Sequence, residues 1–285
     1  MPQHFVAPPQ WEWYIVWYFY LGGLAGGAYL LGTLLRLMGD RHDSTIARVA
    51  FIIAFPALAI CPLLLTLDLG RPLRFWHMII NSRTFEPNFK YWSPMSVGVW
   101  VLLIFSAFAL VSFLEALLSP QRMRFMSGGF GRVFMIVGSF FGVFLAGYTG
   151  VLLSVSNQPI WSDTWALGGL FLASGLSVAA AALVLLARLS GSEARTAAKL
   201  SRADRFFVLL ELVLLVVFFF SLGAVGARFL EPRWLALWVL VLLGTLVPLV
   251  LRSSSHRGGA AVLASWLVLI GGLALRIVVI FSAQM

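Results

Sequence analysis

Eight long apolar segments are the feature that most constrains how this chain folds. Each is about 20 residues long or longer, which at the ~1.5 Å rise of an α-helix matches a hydrocarbon core about 30 Å thick. Hydrophobic residues make up 61% of the 285 positions, more than a soluble globule carries. The sequence therefore predicts a membrane protein whose helices cover residues 13–38, 46–67, 95–118, 133–154, 165–189, 206–227, 234–251 and 260–281.

The apolar segments lack the alternating pattern of strands, so helices must satisfy the backbone inside lipid. The loops between them are too short to hold a soluble domain. We therefore expect an all-α integral membrane protein that forms one polytopic domain over residues 1–285. The N-terminus has no basic leader with a small-residue cleavage site, so we expect the first helix to be retained.

The net charge of +9 is unevenly distributed along the chain. Most of the 20 Lys and Arg residues lie where the odd-numbered segments leave the membrane. The positive-inside rule makes that face cytoplasmic, so both termini are predicted on the outer, periplasmic face of the cell inner (plasma) membrane. This rule explains the basic charge without any binding of nucleic acid.

Candidate metal and haem ligands are few in this chain. The single cysteine, Cys61, excludes an internal disulfide and a self-contained iron–sulfur cluster. The histidines lie in the N-terminal tail or in loops, at His4, His42, His77 and His256. We therefore predict no haem and no bound metal, so that electrons must come from a partner.

The connection after the second segment concentrates charge at a membrane boundary, where ionisable groups are costly. Asp68 precedes Arg71 by three residues, so the two side chains pair if the helix continues. The Asp68 carboxyl then either exchanges protons with a ligand or forms an ion pair that fixes the loop. Residues 73–81 are predicted to form a short amphipathic helix at the interface.

Motifs spread over nearly the whole chain carry a family resemblance. They are Trp13, Tyr18 and Leu21-Gly22-Gly23-Leu24-Ala25-Gly26-Gly27; Asp68-Leu69-Gly70-Arg71-Pro72-Leu73-Arg74-Phe75-Trp76-His77; Ser93-Pro94-Met95-Ser96-Val97-Gly98; Tyr148-Thr149-Gly150-Val151-Leu152-Leu153-Ser154; and Leu275-Arg276. In this order they resemble the NrfD/PsrC-like membrane subunits of polysulfide-reductase-type and nitrite-reductase-type enzymes.

The resemblance implies a haem-free subunit with eight helices in two four-helix bundles. It implies that the protein exchanges electrons between menaquinone or ubiquinone and a ferredoxin-like iron–sulfur subunit. That partner usually serves a molybdopterin catalytic subunit. Membrane lipid surrounds the whole domain.

A quinone site needs polar groups that exchange protons within an apolar pocket. The candidates in the outer third are Glu12, Tyr14, Tyr18, Asp68, Arg71, His77, Tyr148, Asn157 and Arg276. Tyr148 resembles the family's quinone-binding tyrosine, although an interfacial tyrosine is the alternative. We assign proton exchange to Asp68, Tyr148 and His77. The family's site also uses a histidine near the start of the first helix, and this sequence has no histidine there. Glu12, Tyr18 or His77 is the candidate that replaces its hydrogen bond to the quinone.

Two further ionisable groups lie inside predicted helices. Arg276 either snorkels outward, contacts quinone or pairs with Asp68, and pairing is the favoured interpretation. Glu211 is predicted to be protonated or paired, and it forms a proton path with Glu115 unless it is a structural carboxyl. The sequence contains no continuous file of ionisable groups across the membrane, so we do not predict a proton pump.

The alternative to quinone chemistry is a secondary transporter or another ion-translocating membrane subunit. Its substrate site would lie near the bilayer midplane between discontinuous helices. The clustering of ionisable residues in the outer third favours the quinone-reactive subunit.

Overall fold

The computed structural model describes residues 9–118, 124–189, 194–254 and 258–284. Eight helices of these residues are long and apolar enough to cross a membrane, which confirms the predicted all-α membrane fold. The helices are α1 (Trp13–Met38), α2 (Ser44–Asp68), α3 (Pro94–Leu118), the short α4 (Arg124–Ser127), α5 (Gly129–Ser154), α6 (Leu167–Leu189), α7 (Ala194–Leu222), α8 (Pro232–Ser254) and α9 (Gly258–Ser282).

Helix α7 differs most from its predicted bounds. It begins at Ala194 rather than Phe206, because the polar residues before the apolar segment include strong helix formers that extend the helix. It ends at Leu222 rather than Ala227. Gly223 has a φ of +52°, a left-handed conformation that ends an α-helix, and Gly223–Leu230 form a 3₁₀ helix.

Helices α1 and α6 lie at the centre of the molecule. Helix α1 packs against α2, α5 and α6, whereas α6 packs against α1, α5, α7 and α9. Helix α3 contacts α2 and α5, and α8 contacts α9 and α7. Since contacts run continuously through α1, α5 and α6, the grouping into two four-helix bundles stays a prediction.

Glycines allow α1 to approach its neighbours closely. A Cβ atom on Gly23 would lie 3.1 Å from the Cα of Gly175 in α6, and one on Gly175 would lie 2.9 Å from the Cα of Gly23. Gly26 meets Gly142 of α5 in the same way. These contacts need residues without a side chain, as the glycine spacing in the first segment indicates.

The residues just before α1 and just after α9 meet on one face of the protein. The Trp11 backbone N–H donates to Oε1 of Gln284 at 2.7 Å, and Nε2 of Gln284 donates to the Trp11 carbonyl at 3.3 Å. We call this side the terminal face. The connection from α2 to α3 lies on it and contains a 3₁₀ helix, Pro72–Met78, where the sequence predicts an amphipathic helix over residues 73–81.

Candidate functional site

A cavity of about 230 Å³ opens between α1, α2, α3 and α5 near the terminal face. The segment from Phe75 to Ile79 contributes to its wall. Most of the lining is aliphatic or aromatic, which suits a lipid-soluble molecule. The polar residues of the lining are Tyr18, Thr66, Asp68, Ser106 and Tyr148.

Tyr148 of α5 forms one side of this cavity. Its phenol donates a 2.6 Å hydrogen bond to the backbone oxygen of Pro94, the first residue of α3. The ring lies against Gly98, where a Cβ atom would collide with it, and Phe144 stacks on it one helical turn away. Because the phenol donates to Pro94, its oxygen has only accepting capacity left for a ligand.

Tyr18 of α1 is buried on the same wall. Its hydroxyl forms no hydrogen bond with any residue that the structure describes. A hydroxyl that lines an apolar cavity without a partner favours a ligand group that accepts its hydrogen bond. Tyr18 is therefore an available donor of the site.

Asp68 is the last residue of α2 and is partly exposed at the cavity. Its carboxyl lies close to the backbone of Glu12, at the start of α1. The expected ion pair with Arg71 is absent from the described residues, because the chain leaves the helix at Leu69, whose ψ is 109°. The Asp68 carboxylate therefore remains an acceptor that is not neutralised by a neighbouring cation.

The other residues that the sequence places in the outer third lie outside the cavity lining. Those with exposed side chains are Glu12, Tyr14, Arg71 and Asn157. His77 is half-buried, its ring is against Trp76, and its backbone oxygen accepts a hydrogen bond from Asn88. Of the predicted residues, the structure thus brings together Tyr18, Asp68 and Tyr148.

Arg276 lies in a separate buried cluster where α9 meets α1 and α6. Its Nη1 donates to Ser174 Oγ at 3.1 Å and to the Gly272 carbonyl at 2.6 Å. The Glu211 carboxyl of α7 interacts electrostatically with this guanidinium, but the two form no ion pair. The favoured pairing of Arg276 with Asp68 is therefore wrong, because the guanidinium is held inside the protein by Ser174 and Gly272.

Glu115 has a local partner near the opposite face. One of its carboxyl oxygens accepts the backbone N–H of Met126 at 3.1 Å, while the other is buried without a partner among the described residues. This contact ties the end of α3 to α4. Glu115 and Glu211 lie on different helices, and a proton path through them stays a prediction.

Sequence reasoning missed several residues that shape both sites. Ser106 and Thr66 add hydroxyl groups to the cavity, and Ser174 accepts a hydrogen bond from Arg276. A serine in an apolar helix gives little signal, because its hydroxyl is usually satisfied by its own backbone. Ser106 is such a case, since it donates to the Leu102 carbonyl at 2.7 Å.

Comparison with known protein families shows which family this sequence is related to. A family profile described as "Polysulphide reductase, NrfD" matches residues 2–285. The chain belongs to the NrfD family. Membership confirms the resemblance inferred from the motifs, and together with eight apolar helices it makes the chain a multi-pass membrane protein.

Three proteins illustrate the similarity of this NrfD-family protein to known relatives. It is 27% identical to a polysulfide reductase component of Wolinella succinogenes, over 96% of this protein and 94% of the relative. It is 29% identical to protein NrfD of Escherichia coli K12, over 96% of this protein and 95% of the relative. A 95-residue stretch is 33% identical to a selenate reductase component of Mesobacillus selenatarsenatis, covering 33% of this protein and 22% of that one.

Proposed function

We propose that this protein is the haem-free, quinone-reactive membrane subunit of a respiratory oxidoreductase complex. The observation that carries the proposal is the apolar cavity whose wall presents the Tyr18 hydroxyl, the Asp68 carboxyl and the Tyr148 phenol. Similarity to proteins named for polysulfide and selenate reductases supports a role in such a complex. Menaquinone and ubiquinone both suit an apolar cavity with few polar groups.

The three polar residues divide the work of binding and proton exchange. Tyr18 donates a hydrogen bond to a ring carbonyl oxygen, while Asp68 and Tyr148 accept hydrogen bonds from ring hydroxyls. When bound, the quinone ring accepts or releases two electrons together with two protons. Asp68 is the group that takes or returns a proton, because it lies at the edge of the cavity nearest to the terminal face.

Electrons have to enter or leave through a neighbouring protein. The terminal face supports a partner surface, because the connection from α2 to α3 exposes Leu73, Phe85 and Tyr91 at 89%, 77% and 77%. Exposed basic residues lie in the same connection, at Arg71, Arg74, Arg83 and Lys90. We assign this surface to a ferredoxin-like iron–sulfur subunit, which in turn serves a molybdopterin-type catalytic subunit.

The orientation of the protein in the membrane determines the side on which protons are exchanged. The terminal face is the periplasmic side of the inner membrane, because the opposite face carries most of the Lys and Arg residues. Protons then exchange with the periplasm through Asp68. Glu211 and Glu115 are retained as candidates for a path toward the cytoplasm.

Purification in mild detergent tests this function directly. We expect iron–sulfur and molybdopterin subunits to co-purify, and solvent extraction to recover quinone. In the purified complex, Asp68→Asn should lower quinone-linked turnover while dye-linked activity of the catalytic partner persists. Glu86→Gln is the matched control, since Glu86 is an exposed acid of the same connection. A solitary protein that transports a solute in liposomes would instead support the transporter alternative.

A further inference from the structure

The cavity near the terminal face has one buried side and one side that reaches the protein surface. On α1, its lining residues Ile15, Tyr18 and Phe19 are only 5%, 3% and 0% exposed. On the opposite side, Pro62 of α2 is exposed and Leu103 of α3 is 39% exposed, although both line the cavity. Since both residues lie inside membrane-spanning helices, the cavity opens toward lipid between α2 and α3.

The opening has a limited height along the two helices. The lining residues at it are Pro62 and Thr66 of α2 and Leu103 and Ser106 of α3, and we call this opening the lateral portal. Away from the terminal face, Phe55 of α2 packs on Phe113 of α3 with ring centroids 5.1 Å apart, which holds the two helices together. Toward the terminal face, the segment from Phe75 to Ile79 closes the cavity wall.

The hydroxyl groups of the lateral portal are satisfied by their own helices. Thr66 Oγ1 donates to the Pro62 carbonyl at 2.7 Å, and Ser106 Oγ donates to the Leu102 carbonyl at 2.7 Å. Neither hydroxyl therefore offers a donor to a ligand. The side chains of Pro62 and Leu103 are hydrocarbon, so the portal suits a hydrocarbon chain better than a polar ring.

The phenols of the cavity and the lateral portal lie at different depths. At the ~1.5 Å rise per residue, Tyr18 lies ~8 Å from the start of α1 and Tyr148 lies ~9 Å from the end of α5. Leu103 and Ser106 lie deeper, ~14 and ~18 Å from the start of α3. A ligand whose polar ring meets the two tyrosines therefore directs its apolar end toward the portal.

The volume of the cavity limits how much of a quinone it holds. The cavity measures about 230 Å³. Because a cavity of about 150 Å³ holds one benzene molecule, this one accommodates a headgroup of one or two rings. A long isoprenoid tail does not fit beside that headgroup. The tail of a bound quinone therefore has to leave the cavity.

We propose that quinone enters the cavity from the bilayer through the lateral portal, and that its isoprenoid tail lies in the portal while the ring is bound. This inference rests on the proposed quinone-reactive function and extends it to the part of the substrate that does not react. The ring enters first and faces Asp68, whereas the tail stays between α2 and α3 in contact with lipid. The tail then contributes to binding by burying apolar surface against Leu103.

Quinone-linked turnover of the whole complex in proteoliposomes tests the portal. The assay compares a long-tailed menaquinone or ubiquinone with the same headgroup without its tail. Leu103→Trp should lower the ratio of long-tailed to tail-less turnover at least about fivefold, because the added ring fills the space of the tail. Ser106→Phe, at the deeper edge of the portal, should lower the same ratio.

A neighbouring residue provides the matched control. Ile104 is 38% exposed on the same helix and lies outside the cavity lining, so Ile104→Trp should leave the ratio unchanged. An unchanged ratio in both Leu103→Trp and Ser106→Phe would overturn the portal and leave the quinone function intact. An equal fall in Ile104→Trp would overturn it as well. A parent complex that turns over neither form of quinone would instead refute the proposed function, and the portal with it.

Discussion

The phenol of Tyr148 donates a 2.6 Å hydrogen bond to the backbone oxygen of Pro94 and so joins α5 to the first residue of α3. This contact holds the start of α3 beside the cavity, whose lining includes Met95 and Gly98. The same oxygen keeps its accepting capacity for a ligand. Tyr148 therefore positions a helix and also offers a polar atom to the cavity.

Tyr148→Phe should lower quinone-linked turnover at least about fivefold, since it removes a hydrogen bond worth ~1 kcal/mol. Dye-linked activity of the partner should be unchanged. Steady-state assays with a short-chain quinol and with a soluble dye measure the two activities. Full quinone-linked activity in this variant would remove Tyr148 from the site.

Tyr18→Phe tests the donor of the cavity. We expect a higher KM for quinone, because the variant deletes the hydroxyl that lacks a partner in the protein. Since that hydroxyl forms no internal hydrogen bond, its removal should not reduce the melting temperature. Tyr14→Phe is the control on the same helix, outside the cavity lining. Equal KM values for both variants would contradict the assignment.

Gly98→Ala should displace the Tyr148 ring, because the added Cβ atom would collide with it. Such overpacking costs roughly 1–3 kcal/mol, so both thermal stability and quinone-linked turnover should fall. Gly22→Ala is the matched control, since a Cβ there meets nothing within 4 Å. It should be neutral or slightly stabilising. Thermal unfolding in detergent distinguishes the two variants, and equal melting temperatures would refute the predicted collision.

Arg276→Met should destabilise the protein by about 1.5–3 kcal/mol, because it removes the charged hydrogen bond to Ser174 and a cation near the buried Glu211. In a Glu211→Gln background the same change should cost less. A double-mutant cycle of unfolding free energies measures this coupling. Additive effects would show that Arg276 and Glu211 act independently.

The side of each face can be determined with single cysteines, because the native Cys61 is buried. Leu73→Cys, at an 89% exposed position on the terminal face, should react with a membrane-impermeant maleimide applied to intact spheroplasts. Met38→Cys, 82% exposed at the opposite end of α1, should react only after permeabilisation. The reverse pattern would place the terminal face in the cytoplasm.

The sequence predicts the helices well because each span needs a long apolar run, and that pattern is local. The first helix, Trp13–Met38, matches its predicted bounds. The predicted start of α7 is wrong because Ala194 and the charged residues after it form a helix beyond the apolar segment, which hydropathy does not detect. The positive φ of Gly223 likewise has no counterpart in the hydropathy pattern.

The candidate site is predicted only in part, because depth in the membrane does not reveal which helices face one another. Tyr18, Asp68 and Tyr148 lie on three helices that surround one cavity, so their similar depth correctly predicts that they are close together. Arg276 has a comparable sequence signal, but its guanidinium lies against Gly23 and over the rings of Tyr20 and Phe171, outside the cavity lining.

The paired hydrogen bonds between Trp11 and Gln284 have a consequence for how the protein can be rebuilt. Since the residues just before α1 and just after α9 are neighbours, a short linker between these two positions should connect the helices without moving either. New ends could then be opened in another connection. The order in which the spans enter the membrane would change, while the arrangement of helices around the cavity would be retained.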